Sequence, residues 1–111
     1  MAGLRLSRKE EIMAVVLRFS PQGLTTAKYD EAVKRLEQAG VDSPAGRFYH
    51  VCFGNEGNLR VSEIWDSSGS FERFGETLKP ILQEIGIDPG VPEVIEVHNI
   101  IEGAKTSTAQ P

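Results

Sequence analysis

The run Ile12-Met13-Ala14-Val15-Val16-Leu17-Arg18-Phe19 is rich in β-branched residues and apolar on both parities until Arg18. That pattern predicts a central strand covered on both faces, stopped by Ser20-Pro21-Gln22-Gly23. Tyr29, Ala32, Val33 and Leu36 then recur at i, i+3, i+4, i+7, with Lys28, Glu31, Lys34, Arg35 and Glu37 on the other side. This predicts an amphipathic helix over roughly residues 26–39, capped by Thr25 and stopped at Gly40. Leu24 and Tyr29 have the spacing of a hydrophobic staple across its start. Two strand-like runs follow, Arg47 to Gly54 and Leu59 to Asp66, joined by Asn55-Glu56-Gly57-Asn58. So short a linker containing glycine forces an antiparallel hairpin. A loop of two residues or of four places 50 opposite 63, 52 opposite 61 and 48 opposite 65, whereas a loop of three slips the register by one.

A second helix begins at Ser67 or Ser68, with Phe71, Phe74, Leu78, Ile81, Leu82 and Ile85 at helical spacing. Pro80 removes an amide donor inside it and predicts a kink or a restart near Lys79, and Gly86 ends it. After the turn Asp88-Pro89-Gly90, residues Glu93 to Ile101 read as the last strand. The order strand, helix, strand, strand, helix, strand predicts a split βαβ arrangement: an α+β domain with a four-stranded antiparallel sheet and both helices on one face. Tyr49, Val51, Phe53 and Ile64 then lie opposite in parity to Phe48, His50, Cys52, Val61 and Trp65. Two helices cover only one of these faces. At about 25 cal/mol per Å² of apolar area, the other is expected to pack against a second copy, giving a homodimer through the sheet.

The chain has 111 residues, 40% hydrophobic and 25% charged, which suits one folded domain over residues 12–101. Flexible tails are expected at 1–11 and 102–111. Its net charge of −4 leaves no dominant basic face, so no nucleic-acid partner is expected. No apolar run spans a bilayer and no secretory pattern opens the chain, so a cytoplasmic location without membrane association is expected. One cysteine, Cys52, excludes an internal disulfide and a thiolate metal cluster. Neither G-x-G-x-x-G nor G-x-x-x-x-G-K occurs, so a nucleotide cofactor has no seat.

The strand opening Met13-Ala14-Val15-Val16, the hairpin, and the junction Glu63-Ile64-Trp65-Asp66-Ser67-Ser68-Gly69-Ser70-Phe71 resemble the dimeric α/β-barrel superfamily. Within it they are similar to the antibiotic-biosynthesis-monooxygenase-like domains, over about residues 12–101. The resemblance implies ferredoxin-like protomers sharing a barrel, with a ligand pocket between sheet and helices. Its members include cofactor-independent quinone-forming monooxygenases, haem-degrading enzymes and isomerases. The haem-degrading members use an Asn on the first strand, a Trp ending the third and a His on the second helix. Of these only Trp65 has a counterpart, since residues 12–19 hold no Asn and residues 68–85 no His. Haem ligation of that kind is not expected.

His50 and Glu63 are polar residues among apolar neighbours and are placed opposite each other by the hairpin. A carboxylate beside an imidazole fixes its tautomer and favours the imidazolium, as a general base requires, and the same pairing also serves as a structural hydrogen bond. Trp65 either lines the pocket implied by the resemblance, where its indole stacks on a planar substrate, or packs as core under the second helix. Phe48, His98 and Phe71 complete the candidate lining. His98 and Asn99 point to opposite faces of the last strand, and the pairing decides which faces the helices. Glu96 shares the parity of His98, yet no spacing of metal ligands supports a metal site. Cys52 reads as a small buried hydrophobe. Arg18 and Arg60 either anchor an anionic ligand or bridge a dimer. The leading reading is a homodimer that holds a small, partly aromatic molecule. As an enzyme it would oxygenate without metal or bound cofactor: His50, oriented by Glu63, takes a proton and the substrate carbanion reduces dioxygen. The alternatives are a non-catalytic ligand-binding or interaction module, and an isomerase or lyase using the same residues.

Overall fold

A computed structural model describes residues 13–104. The chain runs β1 (Val15–Phe19), α1 (Thr26–Gln38), β2 (Arg47–Asn55), β3 (Asn58–Trp65), α2 (Ser68–Ile85) and β4 (Glu93–Glu96). The strands form one antiparallel sheet in the order β2-β3-β1-β4, the ferredoxin-like arrangement. Of the tails expected at 1–11 and 102–111, residues 1–11 and 105–111 lie outside the described residues, as does Ile12.

Local chemistry explains both helix starts. The Thr25 hydroxyl accepts from the Lys28 amide at 3.2 Å, and the Ser67 hydroxyl from the Ser70 amide at 3.2 Å, each satisfying a donor the first turn leaves unpaired. Both helices end on left-handed glycines, Gly40 and Gly86. Pro80 does not interrupt α2, which runs unbroken for 18 residues. Glu76, Lys79 and Pro80 are all exposed, so the carbonyl that loses its amide partner lies on the wet side of the helix.

Val15, Leu17, Trp65 and Phe74 form the core, flanked by Phe19, Leu36, Phe71 and Leu78. Leu17 and Trp65 are almost wholly buried, and side chains of this size are each worth about 1.5–3 kcal/mol when removed from water. The first turn of α1 is fixed to the hairpin tip twice. The Thr26 amide donates to Glu56 Oε1 at 3.0 Å, and the Leu59 amide to the Leu24 carbonyl at 3.1 Å. That anchorage sets where α1 lies over β2.

The hairpin closes through a two-residue loop, Glu56-Gly57, with Asn55 facing Asn58. His50 faces Glu63 and Cys52 faces Val61, as the spacing predicts. The expected pairing of Phe48 with Trp65 does not form. A register irregularity between Arg47 and Tyr49 inserts Phe48 as an extra residue, so Arg47 stands opposite Trp65. The last strand stops at Glu96 rather than Ile101. Its partner β1 begins at Val15, so beyond the bond from the Val97 amide to the Ala14 carbonyl no strand remains to pair with.

On the face away from the helices, Tyr49, Ile64, Val16 and Ile95 form one continuous row across all four strands. Tyr49 is 53% exposed and Ile95 42%. Arg18 on the same face lies 3.9 Å from Glu93 of its own chain, an exposed pair of little energetic weight. The Arg60 guanidinium sits 4.9 Å from the Phe53 ring centre.

Candidate functional site between sheet and helices

A cavity of about 310 Å³ lies between the helices and the sheet. Its walls are mostly apolar, with Phe19, Phe71 and Phe74 among the aromatic contributors. Tyr29, Arg47, His50 and Glu63 join into one polar side through their mutual hydrogen bonds, and Glu37 and Asp42 also line the space. This volume is at the small end of ligand sites, and a dry wall with a few convergent polar groups is their usual composition.

Glu63 is 6% exposed and organises that polar side. Its Oε1 accepts from the Trp65 indole N–H at 2.8 Å. Its Oε2 accepts from His50 Nδ1 at 2.5 Å and from Arg47 Nη1 at 3.4 Å. Three nitrogen donors therefore converge on one buried carboxylate, which offsets the desolvation that an isolated charge would suffer. Arg47 is itself held by the Asp42 carbonyl at 2.9 Å and lies over the Trp65 and Phe74 rings at 6.0 and 5.7 Å.

The carboxylate also determines the histidine tautomer. An ionised Glu63 only accepts, so His50 Nδ1 carries a proton, and Nε2 of the neutral ring presents a lone pair. The Tyr29 hydroxyl lies 2.7 Å from that nitrogen, so it donates whenever the ring is neutral and accepts when the ring is the imidazolium. The two rings lie nearly parallel, 15° apart, with centroids separated by 6.0 Å. A chain of hydrogen bonds thus runs from α1 to β2 to β3: Tyr29, His50, Glu63. Tyr29 is half-buried, and burial is the largest cause pushing its phenol above the ordinary value, followed by the nearby Cys52. The Cys52 thiol is likewise pushed up by burial, which keeps it in the less reactive thiol form.

The residues singled out by sequence are placed unevenly. His50, Glu63 and Phe71 line the cavity. Trp65 does not: it is fully buried, edge-on to Phe71 at 5.6 Å and tilted against Phe74 at 5.8 Å, with its N–H already given to Glu63. Its ring has no free face for a substrate, and Phe71 and Phe74 stand between it and the space. Phe48 is absent from the lining because the bulge gives its expected place to Arg47. His98 and Asn99 are both exposed beyond the end of β4. Among the described residues no group of three or more His, Cys, Asp and Glu is arranged to hold a metal ion. No helix among them is long and apolar enough to cross a membrane. Tyr29 and Arg47 were not foreseen as site residues. The one available signal was a tyrosine on an apolar helix stripe, since a buried phenol requires a hydrogen-bond partner.

No family model and no curated protein matches the chain. Solved structures do. A conserved protein from Methanosarcina mazei Go1 is 15% identical with a TM-score of 0.54, covering 79% of this chain and 94% of its own. A protein provisionally described as an antibiotic biosynthesis monooxygenase, from Bacteriodes thetaiotaomicron VPI-5482, is 16% identical with a TM-score of 0.51, covering 86% and 95%. SnoaB, a cofactor-independent oxygenase from Streptomyces nogalater, is 14% identical with a TM-score of 0.47, covering 86% and 96%. At such identity the likeness concerns architecture, and activity does not follow from it. In architecture the chain has the ferredoxin-like fold, which it shares with the Methanosarcina and Bacteriodes structures.

Proposed function

We propose that the cavity binds a small, planar, weakly acidic ring compound and that the protein acts on it as a cofactor-independent monooxygenase. The observation that carries this reading is the Tyr29–His50–Glu63 chain ending at a mostly apolar space. An imidazole backed by a carboxylate supplies a proton acceptor, and a dry surrounding strengthens its electrostatic grip on the imidazolium that results. Proton removal from an activated ring carbon leaves a carbanion stabilised by an adjacent carbonyl or phenol. Dioxygen is the oxidant. It takes electrons from the carbanion and forms a carbon–oxygen bond; a second proton is lost, water leaves, and the ring CH₂ has become a carbonyl. One oxygen atom ends in the product and the other in water. Phe71 and Phe74 offer the aromatic surface against which the ring lies.

The protein acts as a homodimer in this reading, with the row Tyr49–Ile64–Val16–Ile95 buried between two sheets. The functional test uses anthrone-like ring ketones and naphthols under air with an oxygen electrode. Oxygen uptake that needs both protein and compound, and that falls about a hundredfold or more in His50→Ala, supports it. Proton exchange or isomerisation without oxygen uptake would instead identify an isomerase. Binding with neither would identify a ligand-binding module.

A further inference from the structure

We propose that the Tyr29 hydroxyl, rather than the His50 imidazole, is the group that receives the substrate proton, with His50 and Glu63 accepting the tyrosine's own proton behind it. The inference rests on the preceding reading of the cavity as a site for a weakly acidic ring compound, and it reassigns the atom that makes contact.

Neither nitrogen of His50 is free. Nδ1 lies 2.5 Å from Glu63 Oε2 and Nε2 lies 2.7 Å from the Tyr29 hydroxyl. Turning the ring over would only exchange which nitrogen meets which partner. Glu63 cannot swing aside to release Nδ1, because Trp65 and Arg47 hold its two oxygens and Trp65 is locked in the core. A direct role for His50 would therefore require Tyr29 to leave. Tyr29 stands in the first turn of α1, its amide bonded to the Thr25 carbonyl at 3.0 Å, in the turn that is pinned to the hairpin tip. Its departure would cost Nε2 the one hydrogen bond it has among the described residues and strand that nitrogen in a half-buried place.

Tyr29 has unused capacity. A phenol oxygen has one hydrogen to donate and two lone pairs. The hydrogen is directed to His50, which leaves the lone pairs for a donor in the cavity that Tyr29 itself lines. Burial keeps the phenol neutral near neutral pH, so the resting group is an O–H rather than a phenolate. The transfer balances without an outside group. The substrate's X–H bond breaks as a new O–H forms on Tyr29. The old tyrosine O–H breaks as N–H forms on His50 Nε2. The products are a substrate anion, a neutral tyrosine, and an imidazolium paired with the Glu63 carboxylate.

The experiment uses 4-nitrophenol as the acid probe and 4-nitroanisole, its methyl ether, as the control that has no acidic hydrogen. Both are titrated into the whole protein at a pH where free 4-nitrophenol is mainly neutral, and the visible phenolate band reports ionisation. With Tyr29 as the acceptor, the native protein binds 4-nitrophenol more tightly than the ether and raises its ionised fraction. Tyr29→Phe, which keeps the ring and its packing, then lowers the ionisation constant of the bound probe about ten- to a hundredfold. His50→Gln lowers it as well, while leaving the preference for phenol over ether. Should Tyr29→Phe preserve or increase the ionised fraction, His50 is the contact and the Tyr29 assignment fails, while the reading of the cavity survives. If neither compound binds the native protein, the reading of the cavity fails, and the Tyr29 assignment with it. The single tryptophan, in contact with Glu63, reports by its fluorescence that each variant keeps the native core.

Discussion

Tyr29 and Glu63 share a problem common to buried polar groups and solve it differently. Among the described residues, Glu63 is satisfied by three nitrogen donors, whereas the Tyr29 hydroxyl has a single partner and keeps acceptor capacity. In the proposed transfer that contrast assigns the carboxylate a fixed positioning role and the phenol the reactive one. The phenol also leaves a trace in stability. Its ionisation is shifted upward in the folded state, so the folded chain holds the proton more firmly than the unfolded one. Stability is therefore unaffected well below the ordinary tyrosine value of about 10 and declines as pH rises through and beyond it. Urea midpoints measured up the alkaline range should fall more steeply for the native protein than for Tyr29→Phe. Parallel curves would show that burial does not perturb this phenol.

At the scale of elements, the site depends on how the chain enters β2. Gly46 has φ of +92°, and its carbonyl accepts from the Asp66 amide at 2.8 Å. A Cβ placed there would lie 2.8 Å from Asp66 Oδ1 and from both Cβ and Oγ of Ser70. The backbone can thus adopt the bend before the bulge only without a side chain. The bulge in turn presents Arg47 to the cavity in place of Phe48. Gly46→Ala should destabilise the fold by about 1–3 kcal/mol, read as a lower urea midpoint, and should weaken any ligand that depends on Arg47. A midpoint equal to that of the native chain would show that the neighbours relax freely. The hairpin itself, by contrast, was legible from the short glycine-containing linker, while its register waited on the loop length, which the structure gives as two residues.

For the molecule as a whole, the sheet face away from the helices leaves apolar side chains exposed to water. The row Tyr49–Ile64–Val16–Ile95 is apolar and continuous, and its centre is Val16. Burying a charge there is costly at an interface and harmless on a wetted surface. The proposed assembly predicts that the native protein sediments as a dimer at micromolar concentration and that Val16→Glu yields a folded monomer. A native monomer would remove the proposed assembly.

From its own pattern the chain gives the six elements, their order and the shared parity of Trp65, Glu63 and Val61, and it narrows the hairpin to two registers, of which the two-residue loop selects the one pairing His50 with Glu63. These follow from interactions between residues close along the chain: alternation, helical spacing, caps and a short turn. It also supplied the four-stranded architecture, since few topologies accommodate that order. Only the tertiary structure decided which groups face the cavity. Tyr29 reaches His50 because α1 is tied to the hairpin tip. Arg47 replaces Phe48 because an extra residue bulges from β2. Trp65 withdraws because the α2 aromatics close over it, and β4 is short because β1 starts late. Each of these depends on contacts between distant segments, whose geometry is set by packing that no local pattern encodes.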